Sequence, residues 1–378
     1  MFVILKNCKP HDYRGDFERQ ECLQRILECH GHRTHIIKSN KSLCDDIINA
    51  GFYGERYEKY AEDLRQHKSE LNQFKNSFNY TFTLDFDIED ENVFSKNKDN
   101  DHINITISYK LAKLESFYRG ATLLAEDETD CEFFDLIASA YAKFNYGKSI
   151  ISRINYLEGG GSKTHPKYLR MMKDNTFGLC IVDNDKKHPE SKEGSTSSKF
   201  KNNGKERGLN NNQEAIVLDF HEAESIIPDS ILETIIDKTK IDDFDNVINL
   251  DKKINYRFRK YFDHKNGISL KDAWILDKNR NEKFWENALK NLNAFNHKPC
   301  RETKTCANSK NEQVCHSCIE INGFGQNILE HSINQLNRVH LRTVTRDLSP
   351  YIAKQWDAIG CSVLNWSCSP DLPKLRSS

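Results

Sequence analysis

Short apolar runs and strictly alternating stretches both occur in the first part of the chain. The predicted strands there are Phe2 to Leu5, Thr34 to Ile37, Tyr80 to Ile88 and His102 to Ser108. Alternation predicts a strand because successive side chains of a strand point to opposite faces. Apolar residues at helical spacing occur at 19–29 and 55–75, and the polar run 95–101 predicts a loop. Residues 1–115 are therefore expected to form an α+β accessory domain.

From residue 116 the pattern changes to strands that alternate with helices. The predicted strands are Ala121 to Ala125, Ser149 to Leu157, Gly178 to Val182 and Ala215 to Leu218. Such alternation predicts a parallel sheet, whose ligand sites lie at the carboxyl ends of the strands. The segment 186–213 is rich in Lys, Ser, Asn and Gly, so we expect a mobile insert there. Residues 116–240 are thus predicted to be an α/β domain.

The remaining residues, 241–378, are predicted to be mainly helical. Apolar residues recur there at three- and four-residue spacing, which is typical of amphipathic helices. The predicted fold class is therefore α/β: a parallel sheet core, an N-terminal α+β domain and a mainly helical C-terminal region.

Charge and hydropathy exclude several classes of protein. The chain of 378 residues has 55 Lys+Arg against 56 Asp+Glu, which excludes a uniformly basic, histone-like protein. No apolar run approaches the roughly 18 residues that a membrane helix needs, and the first residues lack a secretory signal pattern. We therefore expect a cytoplasmic protein without a membrane partner.

Four of the twelve cysteines lie close together in the C-terminal region. They are Cys300, Cys306, Cys315 and Cys318. Four thiolates suit a tetrahedral structural zinc ion, and the Cys-x2-Cys spacing of the last pair allows both sulfurs to reach one ion. His297 or His316 is an alternative ligand in place of one sulfur, and unrelated surface thiols are the alternative to a metal site. The sequence predicts a zinc module at 297–320.

Acidic residues follow three of the strands predicted for the α/β domain. They are Glu126 and Asp130, Asp183 and Asp185, and Glu222 and Glu224. A parallel sheet brings such strand ends together, and converging carboxylates suit Mg²⁺ or Mn²⁺. Two such ions about 3.5–4 Å apart stabilise the attacking and leaving oxygens in phosphodiester cleavage. For any one of these acids, capping of the next helix or exposure to solvent is the alternative.

Four segments in this order carry a resemblance to a known family. They are 123–134 with Glu126 and Asp130, the glycine run 158–163, the Asp-x-Asp segment 180–185, and 217–228 with Glu222 and Glu224. In order and spacing they resemble the Toprim domain of nucleases grouped with the PARIS-type defence effector and the OLD nucleases. The resemblance covers about 117–235 and implies a Toprim-like core.

The resemblance also implies roles for individual residues. Glu126 would be the acid/base or metal-binding glutamate, and Asp183 and Asp185 would be metal ligands. Glu224 would complete a second metal position with Glu222 close by, and Asp130 matches a further acidic position. The implied protein is a metal-dependent endonuclease of DNA or RNA, tRNA included, acting in antiphage defence under control of a partner ATPase.

Other residues and other functions also fit parts of this sequence pattern. Lys163, and Lys186 or Lys187, could contact phosphate near the metals, although lysines beside acids are more often solvated ion-pair partners. Glu158 is an unsuitable first glutamate, because too few residues separate it from Asp183 to hold a βα unit. A binding module with vestigial acids is the main alternative function, and a primase or topoisomerase comes third. The glycine run lacks the phosphate-loop pattern.

Overall fold

The computed structural model describes residues 1–100, 102–201, 207–290, 292 and 319–373. The chain forms two compact units. Unit 1 comprises Met1–Ile181, Lys201–Ile216 and Trp356–Ser378, and unit 2 comprises Val182–Phe200 and Val217–Gln355. The predicted α/β class is confirmed, because parallel strands alternate with helices along much of the chain.

The first sheet of unit 1 is built by the N-terminal residues. Its strands are β1 (Phe2–Lys6), β2 (Ile36–Lys38), β3 (Tyr80–Asp85), β4 (Phe94–Asp99) and β5 (His102–Ser108). Their order is β2-β1-β3-β5-β4, and all neighbours are parallel except β4 and β5. The helices of this region are α1 (Phe17–Gly31), α2 (Lys41–Ala50) and α3 (Glu55–Asn72). Residues 1–115 thus combine helices with strands, but their sheet is mostly parallel, and a separate accessory domain stays a prediction.

The loop predicted at 95–101 is wrong for most of its length. Residues 94–99 form the strand β4, which pairs antiparallel with β5 at the edge of the sheet. Its residues are almost all exposed, Lys96 and Lys98 among them. Edge strands commonly carry lysines and little apolar surface, since these discourage pairing with another chain. The sequence pattern did not predict this strand, because apolar and polar residues do not alternate along it.

A second sheet of unit 1 follows. Its region contains β6 (Thr122–Ala125), β7 (Ile150–Ser152), β8 (Asn155–Glu158), β9 (Gly178–Val182), β10 (Gly208–Asn210) and β11 (Gln213–Val217). The sheet order is β10-β11-β9-β6-β8, with β6 parallel to both β8 and β9. The accompanying helices are α4 (Glu115–Tyr118), α5 (Glu128–Tyr146) and α6 (Thr164–Lys173).

Two details differ from the pattern expected for this sheet. The single strand predicted over 149–157 is two strands, because β7 leaves the sheet and pairs antiparallel with a later strand, β14 (Cys368–Pro370). The predicted insert 186–213 contains the 3-10 helix Ser197–Lys199 and the strand β10. The mobility of that insert stays a prediction.

Unit 2 is mainly helical, as expected for the later residues. Its helices are α7 (Asp229–Ile235), α8 (Ile241–Lys253), α9 (Phe258–Tyr261), α10 (Leu270–Asp277), α11 (Phe284–Leu289), α12 (Ile328–Leu336) and α13 (Leu341–Arg346). The strands β12 (Gly267–Ser269) and β13 (Ile319–Asn322) pair antiparallel. The last helix, α14 (Pro350–Ser367), begins in unit 2 and ends in unit 1. Among the described helices, none is both long and apolar enough to cross a membrane.

An aromatic cluster ties the two sheet regions of unit 1 together. The ring centroid of Phe82 on β3 lies 5.8 Å from that of Phe177 and 5.2 Å from that of Trp366 on α14. Phe177, just before β9, also packs on Phe117 at 5.4 Å. These side chains are fully buried. Aromatic pairs of this kind dominate core energetics, because each ring buries a large apolar area.

We expect Phe82→Ala to lower the free energy of unfolding by about 3–5 kcal/mol, since it leaves a cavity inside this cluster. The matched control is Phe144→Ala on α5, whose side chain is 61% exposed. The control should change stability by at most about 0.5 kcal/mol. Urea denaturation of both variants measures the difference, and equal losses would contradict the proposed core.

Candidate functional site

Unit 1 carries the first predicted acids, at the end of β6. Glu126 follows the strand directly and is half-buried. Asp127 caps α5: its carboxylate accepts from the backbone N–H of Asp130 at 2.9 Å, and the Asp130 carboxylate accepts from the N–H of Asp127 at 3.2 Å. This is a capping box, which satisfies two backbone donors at a helix start. The structure therefore gives Asp130 a capping role.

The glycine run of unit 1 packs against the same strand end. The N–H of Gly159 donates to the carbonyl of Ala125 and that of Gly160 to the carbonyl of Glu126, both at 2.7 Å. A Cβ at Gly159 would lie 2.5 Å from the Ala125 carbonyl, so only glycine fits. Lys163 is exposed just before α6. The turn and the backbone of Glu126 are thus brought together as the sheet pattern predicted.

Asp183 and Asp185 lie on a tight turn in unit 2. The N–H of Asp185 donates to the carbonyl of His221 at 3.1 Å, and Asp185 has a left-handed φ of +56°. Asn184 is buried, and its side chain accepts from the N–H of Lys186 at 2.9 Å. Gly194 lies against the Asp185 carboxylate so closely that a Cβ there would overlap it. Backbone contacts therefore fix this turn beside the segment that begins at His221.

Glu222 and Glu224 are the most deeply buried of the predicted acids. Their residues are 6% and 1% exposed. The N–H of His264 donates to Oε1 of Glu222 at 2.6 Å. Glu224 lies in the short 3-10 helix Ala223–Ile226. Two buried carboxylates two residues apart need compensation by positive charge, because removing a charge from water is costly.

Lys265 supplies that positive charge, and the sequence pattern did not reveal it. Its Nζ lies 2.9 Å from Oε1 of Glu224 and 3.8 Å from Oε2 of Glu222. Its charge also interacts with Asp183 and Asp185. All four acids predicted in this unit therefore interact with one ammonium group, the two glutamates at close range and the two aspartates through its charge. We call Asp183, Asp185, Glu222, Glu224 and Lys265 the acidic cluster.

Arg259 and His264 hold this cluster from inside unit 2. The fully buried guanidinium of Arg259 donates to the carbonyls of Ile227 at 2.7 Å and Glu224 at 3.5 Å, and forms an ion pair with Asp229 at 2.6 Å. Its Nε donates to Nε2 of His264 at 3.3 Å. The imidazole Nδ1 of His264 lies 3.4 Å from Oε1 of Glu222. These contacts orient both glutamates through their backbone and neighbours.

The pKa values of the cluster follow from burial. Burial raises the pKa of Glu222 and of Glu224, and the charge of Glu222 raises the pKa of Glu224 further. For Lys265, burial lowers the pKa, but the charges of Glu224 and Glu222 outweigh it and leave the pKa above its ordinary value. Burial also raises the pKa of Asp185, opposed by Lys187 and Lys265. The cluster thus holds its acids at high electrostatic cost.

A second ion pair borders the cluster. Nζ of Lys187, one of the lysines considered for phosphate contact, lies 2.7 Å from Oδ2 of Asp263. Asp263 also accepts from the N–H of Asn266, and the pKa of Asp263 falls to about 2 because Lys187 and Asn266 outweigh the effect of burial. Lys187 is therefore an ion-pair partner in this structure.

Two histidines next to these segments, His188 and His221, are both buried. The Nε2–H of His188 donates to the carbonyl of Glu282 at 3.1 Å, so it connects the turn to the segment before α11. His221 is 5% exposed, and its Nδ1 has no hydrogen-bond partner among the described residues. Burial lowers the pKa of His221, so the neutral ring is favoured.

The donor types in the acidic cluster fit Mg²⁺ or Mn²⁺, but their spacing is set by the lysine. Across the described part of the chain, no three His, Cys, Asp or Glu side chains converge closely enough to hold a metal ion. The carboxylates and the unpaired Nδ1 of His221 are nevertheless oxygen and nitrogen donors of the kind these ions accept. Metal binding would require the ammonium of Lys265 to move aside.

The predicted residues therefore fall into three groups. Unit 1 brings Glu126 and Asp130 to the strand end beside the glycine run with Lys163, and unit 2 gathers the acidic cluster. A common site for Glu126 and the acids of unit 2 stays a prediction. The cysteines Cys300, Cys306, Cys315 and Cys318 lie outside the described residues, and so do His297 and His316.

Lys265 was missed because it lies 41 positions after Glu224, in a segment with no regular pattern. The run Asp263-His264-Lys265 connects the end of α9 to β12. Three adjacent polar residues in a connection normally indicate a solvated loop. Their burial could be recognised only from the fold.

Comparisons with protein-family models, with curated proteins and with solved structures find no match for this chain. The interpretation of the acidic cluster therefore depends on its own geometry and chemistry.

We expect Lys265→Met to lower the free energy of unfolding at neutral pH by about 2–4 kcal/mol. The change leaves two buried carboxylates without their cation, and the loss is below that of a fully buried pair because the Lys265 side chain is 33% exposed. Lys260→Met is the matched control, since Lys260 pairs with the exposed Asp219 and should matter by about 1 kcal/mol or less. Denaturation of both variants measures the losses, and equal values would argue against the cluster.

Proposed function

We propose that this chain is a divalent-metal-dependent nuclease that hydrolyses phosphodiester bonds of DNA or RNA. The observation that supports this most strongly is the acidic cluster itself. Two glutamates that are almost completely buried lie beside the ammonium of Lys265 in unit 2, and the charge of that ammonium also acts on Asp183 and Asp185. Apolar side chains at these positions would give a core of equal or higher stability, because a buried ion pair often loses as much free energy by desolvation as it gains by attraction. Buried acids with raised pKa values are therefore candidates for a functional site.

In this proposal the acidic residues of unit 2 hold the metal ion. Asp183, Asp185 and Glu224 would hold Mg²⁺ or Mn²⁺, with Glu222 next to them. A bound divalent ion supplies a nucleophilic water at neutral pH and neutralises charge on the phosphate. The backbone of the Asp183–Asp185 turn is held by contacts with Gly194 and His221, so metal binding would rearrange side chains, Lys265 among them, and not this backbone. A preorganised backbone reduces the reorganisation that a catalytic site needs.

Lys265 would act in both states of such a site. Without metal, its ammonium neutralises Glu224 and Glu222 and keeps the cluster folded. When the carboxylates bind metal, the long side chain of Lys265 is released to contact a phosphate oxygen of the substrate. The side chain is 33% exposed, so it has a route to solvent.

The remaining parts of the proposal come from the sequence resemblance. It assigns Glu126 a role in the same reaction, and it implies an antiphage effector controlled by a partner ATPase. The proposed phosphate contact of Lys163 depends instead on its position in the glycine run next to Glu126. The zinc module at Cys300, Cys306, Cys315 and Cys318 would be structural.

One observation favours a second candidate function. The ammonium of Lys265 already neutralises Glu222 and Glu224 without any metal. A protein that had lost catalysis could keep the acids as a structural ion-pair cluster. The second candidate is therefore a non-catalytic module that binds nucleic acid or a protein partner, with a vestigial Toprim site.

Cleavage of plasmid DNA and of tRNA with Mg²⁺ or Mn²⁺ tests the nuclease proposal. We expect Asp183→Asn to reduce the rate by about 100-fold or more, since even the outer partners of metal ligands typically contribute 10–100-fold. The matched control is Asp219→Asn, an exposed acid of unit 2 that pairs with Lys260. The control should cleave at the rate of the parent protein.

Calorimetry with Mn²⁺ distinguishes the two candidates. A nuclease centre should bind Mn²⁺ in the parent protein and in Asp219→Asn, but not in Asp183→Asn. If the parent protein cleaves neither substrate and binds no Mn²⁺, the nuclease proposal is wrong and the vestigial site is supported. Equal cleavage by Asp183→Asn and the parent would contradict the assignment of the centre.

A further inference from the structure

The helix α10 of unit 2 has two faces of different character. Leu270, Ala273 and Asp277 are buried, as expected for the face that packs on its own unit. Lys271, Trp274 and Ile275 lie on the other side at i, i+3 and i+4 positions, where side chains are neighbours on a helix surface. Ile275 is 57% exposed and Trp274 is half-buried. Core packing explains the first face but not the aromatic and aliphatic pair on the second.

This outward face lines a groove of about 460 Å³. Its walls include Lys271, Lys278 and Lys283 together with Trp274 and Ile275. Lys278 directly follows the helix, and Lys271 and Lys278 are both exposed. The groove therefore combines an apolar, aromatic floor with several ammonium groups around it.

Lysines outnumber acids among the described lining residues of the groove. Asp277 also lines the groove, but it is 4% exposed, and its two oxygens accept from the N–H groups of Trp285 at 3.1 Å and Glu286 at 2.7 Å. Its carboxylate thus caps α11 from inside, and its carbonyl accepts from Nζ of Lys283 at 2.7 Å. Glu286 is the other acid among the described lining residues. The described lining of the groove therefore has a net positive charge.

We propose that this groove is a binding site for single-stranded nucleic acid, in which a base stacks on Trp274 and the lysines contact phosphates. Aromatic side chains beside basic residues are the general means by which proteins hold unpaired strands without sequence preference. Ile275 extends the apolar surface next to the stacked ring. Lys271 precedes this apolar pair in the chain, and Lys278 comes after it. As a substrate subsite it rests on the proposed nuclease function, whereas the binding itself requires no metal.

The distribution of the tryptophans allows binding at this site to be followed by fluorescence. Of the four tryptophans, Trp285, Trp356 and Trp366 are at most 3% exposed, and Trp274 is the exception. A base stacked on Trp274 should therefore quench the emission of Trp274, which is also the emission that a water-soluble quencher can reach.

The test uses the full-length protein with EDTA present and a fluorescein-labelled twelve-residue oligo(dA) or oligo(A). We expect both strands, or one of them, to bind and to quench tryptophan emission. Trp274→Ala should weaken binding about 5- to 150-fold, the range for loss of one base stack, whereas Trp274→Phe should keep most of the affinity. The comparison of the two affinities shows whether the groove prefers single-stranded DNA or single-stranded RNA.

The double charge reversal Lys271→Glu/Lys278→Glu should also weaken binding and flatten its dependence on salt concentration. Its matched control is Lys252→Glu/Lys253→Glu, two exposed lysines at the end of α8 in the same unit. The proposal is overturned if the parent protein binds neither strand, or if Trp274→Ala and the groove reversal bind as tightly as their controls. Trp274-dependent binding without any metal-dependent cleavage would support the groove while contradicting the nuclease function.

Discussion

Unit 2 depends on one electrostatic constraint: Glu222 and Glu224 are buried, and buried carboxylates require a cation. Lys265 meets this requirement from 41 residues further along the chain, with its Nζ at 2.9 Å from Glu224. The segments that contain these residues must therefore be adjacent whenever the unit is folded. Arg259 makes the same connection through the backbone, since its guanidinium contacts the carbonyls of Glu224 and Ile227. Long-range contacts of this kind limit the number of arrangements that the helical segments can adopt.

The buried acids of the two units belong to two different physical classes. Asp130 in unit 1 and Asp277 in unit 2 satisfy backbone N–H groups at the start of a helix, which is a sufficient reason for their presence. The acids of unit 2 near Lys265 are different, because they interact with one positive charge and because burial raises the pKa of both Glu222 and Glu224. A capping acid stabilises local structure, whereas clustered acids weaken it unless a cation binds. This distinction, and not the number of acids, supports a functional interpretation of the cluster.

Local patterns predicted much of the fold, but they could not predict contacts between distant segments. The strands β3, β5, β6 and β9 were expected from alternation or from short apolar runs, and each lies where the pattern indicated. The edge strand β4 was missed because an exposed edge needs no apolar face. Asp183, Asp185, Glu222 and Glu224 were expected to converge because they follow strands. The structure places all four in unit 2, where each interacts with Lys265, but no three of these carboxylates lie close enough together to hold a metal ion. Lys265, Arg259 and His264 were missed because their segment lacks periodicity and only the fold buries it.

The segment 263–278 connects the acidic cluster of unit 2 to the groove beside α10. It begins at the acidic cluster with Asp263, His264 and Lys265, passes through β12 and continues into α10, whose outward face carries Lys271, Trp274 and Ile275. The short connection is rigid, since Gly267 has a φ of +82° and lies so close to β13 that a Cβ would overlap the carbonyl of Ile321. A lysine that compensates buried acids and a tryptophan that faces a basic groove are thereby fixed on one short piece of chain. Under the two proposals, one short piece of chain would therefore carry both a residue of the metal centre and a residue of the strand-binding groove.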